Sequence, residues 1–175
     1  MVSPISVAVY EQMGELTDRQ RVELIRGVII GKMTSSPFHS YLIGQLLAQV
    51  QAVLTDQMHF RQEQPLKMSD SMPEPDILVV PGRRRDYRRS HPTTALLAIE
   101  IAISSVALDH EKAALYAEAD VQEYWIVLAN DETIEVHTTP SAGRYTQQRI
   151  YQRGETLLST ALPTLQVELD ALFAS

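Results

Sequence analysis

Glu100 places a carboxylate in an otherwise apolar stretch of the sequence. It is the one charged residue in the nine-residue run Ala95–Ile103 (ALLAIEIAI). An ionised carboxylate in a buried strand costs free energy unless it is paired, protonated or bound to a metal ion. Alternatively, Glu100 lies near the end of its strand and faces water, since odd and even positions of the run are both apolar. The first interpretation makes Glu100 a candidate metal ligand.

Asp76 begins a second apolar strand, Asp76–Val80, directly after Glu74 and Pro75. Taken alone, it is an ordinary aspartate at the start of a strand. Beside Glu100 it becomes a candidate second ligand. Two carboxylates from neighbouring strands suit Mg²⁺ or Mn²⁺, which prefer oxygen ligands and keep several waters for the substrate.

Lys112 lies within the apolar stripe of a predicted helix, Asp109–Ala119. It follows Leu108 by four residues and precedes Leu115 by three, so it shares their helix face. A lysine on the sheet-facing side of this helix could direct its ammonium group at the carboxylate of Glu100. The alternative is that its aliphatic stem covers the edge of the stripe while the ammonium group stays in water.

A basic segment is the fourth feature that could carry chemistry. It contains five arginines within seven residues, with only Asp86 opposing them, and Tyr87 adds an aromatic ring. On a chain with a formal net charge of −7, such a segment is typical of a loop that contacts nucleic-acid phosphates. A solvated loop without a ligand is the other interpretation. The arginines are Arg83, Arg84, Arg85, Arg88 and Arg89.

Composition excludes several classes of protein. The absence of cysteine excludes disulfide scaffolds, thiolate zinc sites, iron–sulfur clusters and cysteine nucleophiles. The five histidines show no close ligand spacing, and the sequence has no GxSxG, GxxxxGK[ST] or GxGxxG motif.

A length of 175 residues predicts one domain, residues 1–175. Because no secretory signal and no apolar run of spanning length is found, we expect a soluble, cytoplasmic protein.

The elements that position these residues follow from hydrophobic periodicity and from turn residues. Residues 96–128 have the order strand, helix, strand, which predicts a mixed sheet with a helix on its face and an α/β or α+β class. A final stretch, Leu157–Phe173, is predicted to add short strands and helical pieces. The other predicted helices are Asp18–Arg26, capped by Thr17 and ended by Gly27, and His39–Leu54. The other predicted strands are Val28–Met33, His59–Met68, Glu123–Leu128 and the hairpin Thr133–Thr138 with Arg144–Tyr151.

An ordered set of short motifs resembles the Uma2 family of restriction-endonuclease-like proteins. The family's YELIDGE opening is similar to Val22–Gly27, and its proline–histidine region is similar to Pro37 and His39. The similarity extends over nearly the whole chain. The further matching segments are Glu74-Pro75-Asp76-Ile77, Ile99-Glu100-Ile101 with Ser104-Ser105, then Asp109, Lys112, Tyr116 and Glu123–Val127.

The resemblance implies the PD-(D/E)xK nuclease fold, a mixed central sheet flanked by helices. By position, Asp76 is the aspartate of the PD motif and Glu100 is the second acid. The usual lysine two residues later is absent, because position 102 is alanine. In this family the lysine is thought to have moved to the next helix, which indicates Lys112. Glu23, in the first predicted helix, matches an acid that assists the metal site in related nucleases.

The resemblance also implies a function and partners. The expected activity is Mg²⁺- or Mn²⁺-dependent hydrolysis of DNA phosphodiester bonds, with Asp76, Glu100 and Glu23 as metal-site acids and the five arginines as DNA contacts. Because cutting both strands of a duplex usually needs two active sites, a homodimer is expected by analogy. Two alternatives stay open. The chain could be a catalytically inactive nucleic-acid or protein binding module, or a domain in which the acids and Lys112 form a structural salt bridge.

Overall fold

The computed structural model describes residues 4–16, 22–32 and 35–174. In these residues the helices are α1 (Val7–Leu16), α2 (Pro37–Val53), α3 (Val106–Glu118) and α4 (Leu169–Leu172). The strands are β1 (Val22–Ile25), β2 (Val28–Gly31), β3 (Met58–Gln62), β4 (Ile77–Pro81), β5 (Leu97–Ala102), β6 (Glu123–Leu128), β7 (Thr133–Ser141), β8 (Arg144–Tyr151), β9 (Thr156–Leu158) and β10 (Gln166–Glu168).

The described residues form a mixed central sheet of six strands, β3 to β8, in chain order. Strands β5 and β6 are parallel, and the other neighbouring pairs are antiparallel. Helix α3 connects the parallel pair, because parallel neighbours need a crossover that returns to the same end of the sheet. The predicted mixed sheet with a helix on its face is therefore confirmed.

The central strand β5 is buried on both faces. Ile99 and Ile101 pack on one face, in a core shared with α2 and the C-terminal elements. Ala98 and Ala102 pack on the other face, in a core shared with Tyr116 of α3. Every residue of β5 is buried, which explains why its sequence is apolar without alternation. Glu100 belongs to the α3 face, because it has the same parity as Ala98 and Ala102.

The N-terminal part of the fold differs from the prediction. The predicted helix Asp18–Arg26 is wrong for the residues that the structure describes, and its beginning, with the Thr17 cap, lies outside them. Strand β1 instead pairs antiparallel with β2. Arg26 and Gly27 connect them with φ angles of 51° and 74°, the left-handed conformation that a tight type I′ hairpin turn requires. Gly27 therefore turns a hairpin and does not end a helix.

The remaining elements agree with the sequence, with one omission. Helix α2, strands β4 to β8 and the short C-terminal elements lie where periodicity predicts them, within a few residues at each end. The predicted strand His59–Met68 is too long, because β3 ends at Gln62. Helix α1 is not predicted, because Val9 and Met13 are exposed and blur its apolar face, of which Val7 and Tyr10 are buried. Among the described residues, no helix combines the length and apolar character needed to cross a membrane.

Candidate active site

Asp76, directly before strand β4, lies beside Glu100 of the neighbouring strand β5. Strands β4 and β5 are antiparallel with Ile77 opposite Ile99, so extending this register by one residue places Asp76 opposite Glu100. Opposing residues of an antiparallel pair share a face of the sheet. The amide of Ile101 donates a 2.7 Å hydrogen bond to Asp76 Oδ2, which fixes the aspartate against β5. The sheet register therefore brings together two carboxylates that are distant in sequence.

Lys112 reaches the Glu100 carboxylate from helix α3. Its side chain is buried, and its Nζ lies 3.0 Å from Glu100 Oε1. The same ammonium group lies 2.7 Å from Glu23 Oε1 and 3.9 Å from Asp109 Oδ1. Burial by itself lowers the pKa of Lys112, but the carboxylates of Glu100, Glu23 and Asp109 outweigh it and raise the pKa above its ordinary value. Lys112 is therefore a buried cation.

Glu23 enters the site from strand β1, not from a helix. Its side chain is buried, and both of its oxygens have partners. Oε1 pairs with Lys112, while Oε2 accepts a 3.1 Å hydrogen bond from the amide of Glu74. The second contact holds the β1–β2 hairpin against the segment that leads into Asp76. Glu23 thus contacts the lysine of the site directly.

Tyr116, Asp109 and His39 also lie around the acid pair. The Tyr116 hydroxyl donates a 2.8 Å hydrogen bond to Glu100 Oε1, and Asp109 accepts one from Ser105 Oγ. Nε2 of His39 lies 3.2 Å from Asp76 Oδ2. Sequence reasoning gave these side chains no role in the site. Asp109 and Tyr116 stand three before and four after Lys112, so the helical repeat that places them on its face could have identified them.

Burial dominates the electrostatics of Glu100. It raises the pKa of the carboxyl to about 8; Lys112 opposes the rise, while Asp109, Asp76 and Glu23 add to it. The pKa of Asp109 is raised for the same first reason, burial. The pKa of His39 is raised mainly by its hydrogen bond to Asp76. The site therefore carries more acidic groups than its single buried lysine can neutralise, and it favours the uptake of protons or of a cation.

A cavity of about 140 Å³ opens onto this group of residues. Asp76 and Glu100 both line it, and among the described residues nothing donates a hydrogen bond to Asp76 Oδ1 or Glu100 Oε2. No three His, Asp or Glu side chains in the described ranges enclose a cation by themselves. Mg²⁺ often takes only one or two carboxylates and completes its shell with water and substrate phosphate. The two unengaged oxygens fit this kind of coordination.

The basic segment lies apart from this cavity. It follows β4, whereas Asp76 precedes β4, so the two are separated by the strand's length, about 16 Å at 3.3 Å per residue. None of its arginines is among the described residues that line the cavity. Residues 84–87 form a short 3-10 turn, and Arg83 pairs with Asp56 at 3.4 Å. The structure thus brings Glu23, Asp76, Glu100 and Lys112 together and leaves the five arginines outside.

Comparison with solved structures identifies the class of fold. A crystal structure from Anabaena variabilis, described as "a putative nuclease belonging to DUF820", matches with a TM-score of 0.82 at 17% identity and covers 98% of each chain. At this identity the likeness establishes the fold alone. The chain therefore has a nuclease-like fold, and the predicted restriction-endonuclease-like architecture is confirmed.

Comparison with family models is more specific. The model of the Uma2 family, described as "Putative restriction endonuclease", matches residues 7–171. The chain belongs to the Uma2 family, which confirms the resemblance seen in its motifs. No curated protein matches the sequence.

Proposed function

We propose that this protein is a metal-dependent endonuclease that hydrolyses DNA phosphodiester bonds, with Mg²⁺ or Mn²⁺ as its cofactor. The observation that carries the proposal is the excess of buried acid around one lysine at a cavity. The side chains of Glu23, Asp76, Glu100 and Asp109 are each at least nine-tenths buried. Lys112 is the cationic partner of three of them, and Asp76 instead lies 3.2 Å from His39 Nε2. A cluster of this kind is expensive unless protons or a cation balance its charge.

Asp76 and Glu100 would hold the cation through the oxygens that face the cavity. When bound, the ion polarises the scissile phosphate and acidifies a water molecule. The Ile101 amide fixes the orientation of Asp76, and the Tyr116 hydroxyl does the same for Glu100. One oxygen of each acid is thus held by the protein, and the other oxygen would be available to the ion.

Besides the metal ion, Lys112 would supply positive charge to the site. Its ammonium group, 3.0 Å from Glu100, would orient the attacking water or stabilise charge that develops on the phosphate. Glu23 holds the lysine from the other side and would act as an outer acid of the metal site. Both oxygens of Glu23 are engaged, so its effect would pass through Lys112 or through an outer-shell water.

DNA is the substrate that the family description supports, and the arginine-rich segment supplies positive charge for its backbone. A homodimer would let two such sites cut both strands of a duplex. Sedimentation of the purified protein, with and without a DNA duplex, tests that part of the proposal. A monomer in both conditions argues against paired cutting and leaves single-strand nicking.

Glu100→Gln tests the proposed activity most directly, because glutamine keeps the shape of the side chain and removes its charge. With Mg²⁺ or Mn²⁺ present, we expect cleavage of a DNA duplex to fall at least about a hundredfold, as for other losses of preorganised charge. The matched control is Glu111→Gln, an exposed acid next to Lys112 on α3, which should cut as the parent does. Equal cleavage by the Glu100→Gln variant would refute the assignment.

The rival function is a binding module that keeps the nuclease fold without catalysis. One observation favours it: the Lys112 ammonium already has a carboxylate partner on each of three elements. Calorimetric titration with Mg²⁺ and Mn²⁺, repeated with Asp76→Ala, separates the two functions. Binding that is lost in the variant supports the enzyme. Absence of binding at millimolar concentrations supports the module.

A further inference from the structure

Arg61 is a buried arginine on the edge strand β3, outside the acid-lined cavity. It is 7% exposed, and one of its terminal nitrogens lies 2.9 Å from Nδ1 of His91. Its guanidinium group also lies over the ring of Tyr87, 5.9 Å from the ring centre. Among the described residues Arg61 makes no ion pair, and its Nε has no hydrogen-bond partner. A guanidinium group buried without a carboxylate is costly, and it calls for an anion from outside the chain.

Arg61 also borders a second, larger groove. This groove has a volume of about 700 Å³, and its lining combines guanidinium groups with aromatic rings. Arg84, Arg85 and Arg88 are exposed there, and only Arg85 has an acid near it, Asp86 at 4.0 Å. Burial, together with the charges of Arg61 and Arg84, lowers the pKa of His59 at the same groove. The groove therefore carries more positive charge than the nearby acid, Asp86, can neutralise.

The groove and the cavity are connected through strand β3. Arg61 lies opposite Leu78, whose side chain packs on the α3 face, the same face of the sheet as Glu100. Glu63, two residues further along the chain, lines the acidic cavity. Two residues of strand span about 7 Å, and a DNA strand carries one phosphate per about 3.4 Å of duplex axis. The basic groove therefore begins within about two nucleotides of the proposed site of cleavage.

We infer that Arg61 anchors a phosphate-binding groove, completed by Arg84, Arg85 and Arg88, which holds the DNA backbone beside the scissile bond. This inference rests on the proposed function, because it assigns the substrate's path across the face that carries Asp76 and Glu100. Tyr87 would position the Arg61 guanidinium and offer a ring for stacking on a base. Arg61 is a binding residue in this scheme and takes no part in bond cleavage.

The test is equilibrium binding of a fluorescent DNA duplex in EDTA, where no cutting occurs, at several salt concentrations. Arg61→Gln should weaken binding about tenfold and reduce the slope of log Kd against log salt by about one, the value for one lost phosphate contact. Arg61→Lys keeps the charge, so it should keep the slope. The matched control is Arg144→Gln, an exposed arginine on β8 that does not line the groove.

Three outcomes decide the inference. An Arg61→Gln variant that is folded and keeps the parent's affinity and salt slope overturns it, even if the parent cuts DNA. If this variant does not fold, the exposed residues decide: Arg84→Gln and Arg88→Gln must each reduce the slope, and unchanged slopes overturn the groove. If the parent never cuts DNA but binds it through Arg61, the proposed function fails while the groove stands.

Discussion

Glu23 and Lys112 form a buried ion pair with 2.7 Å between Oε1 and Nζ, although one lies in a hairpin strand and the other in a helix. This pair joins the β1–β2 hairpin to α3 at the edge of the acidic cavity. Glu23 therefore reaches the site through the lysine, a contact that its position in the sequence does not reveal.

Glu23→Gln should therefore impair turnover more than metal binding. We expect DNA cleavage to fall about 10- to 100-fold, as for other partners that orient a metal site, while the Mg²⁺ affinity changes less than about threefold. Parallel measurements of cleavage rate and of calorimetric Kd separate the two effects. A loss of Mg²⁺ affinity equal to that of Asp76→Ala would instead make Glu23 a direct ligand.

Lys112→Met should leave the buried acids without their cation. The metal-free variant should unfold at lower urea concentration than the parent, since removal of one partner of a buried pair costs about 3–5 kcal/mol. Mg²⁺ should restore much of this stability and bind at least as tightly as in the parent, while cleavage falls sharply. The control is Lys67→Met, because Lys67 and its partner Glu11 are only half-buried. Destabilisation that Mg²⁺ does not reverse would indicate a structural salt bridge.

The raised pKa of Glu100 makes stability depend on pH. Its pKa is about 8 in the folded protein and has an ordinary value of 4.5. Between these values the folded protein retains a proton that the unfolded chain has released. This contribution to stability is therefore complete below about pH 4.5 and is lost as the pH rises through about 8. In the metal-free parent we expect a steeper fall across this range than in Glu100→Gln, by an amount on the order of a few kcal/mol.

Urea unfolding in EDTA at a series of pH values measures this difference. Subtracting the Glu100→Gln curve removes the contribution of groups that titrate equally in both proteins. Mg²⁺ should flatten the curve of the parent, because the ion favours the carboxylate and releases the proton. Parallel curves for the two proteins would contradict the assignment of this proton to Glu100.

Glu123 offers a stability prediction away from the site. Its Oε1 accepts a hydrogen bond from Trp125 Nε1, and its Oε2 accepts bonds from the turn at residues 159–161. Glutamine would turn an amide N–H₂ toward one of these donors, so Glu123→Gln should lose about 2 kcal/mol in urea unfolding. Mg²⁺ affinity should not change. A stable variant would show that the turn can rearrange around the amide.

Features that depend on local sequence pattern could be predicted from the sequence. Features that depend on long-range strand pairing could not. The apolar run around Glu100 and the helical stripe around Lys112 are local signals, and both lie where the sequence predicts them. The hairpin containing Glu23 is not predicted, because Val22–Ile25 is too short for its period to distinguish strand from helix. Its identity as a strand depends on pairing with Val28–Gly31 and on a bridge from Leu24 to Met72.

The proposed role of Arg61 in phosphate binding can also be recognised only from the tertiary structure. In the sequence it is one arginine in a polar stretch, and the five arginines of residues 83–89 give a much stronger signal. Only the pairing of β3 with β4 shows that Arg61 shares a face with Leu78 and approaches Tyr87. The role of His39 beside Asp76 is of the same kind, since α2 and β4 meet only in the folded chain.

The bond from the Ile101 amide to Asp76 ties the acid pair to the middle of the sheet. Opening it requires the buried Asp76 carboxylate to turn away from β5, so this amide should exchange its hydrogen for deuterium slowly. The distance between the two acids is then insulated from movements at the protein's periphery. Sequence changes in the loops can therefore accumulate without altering the spacing of Asp76 and Glu100.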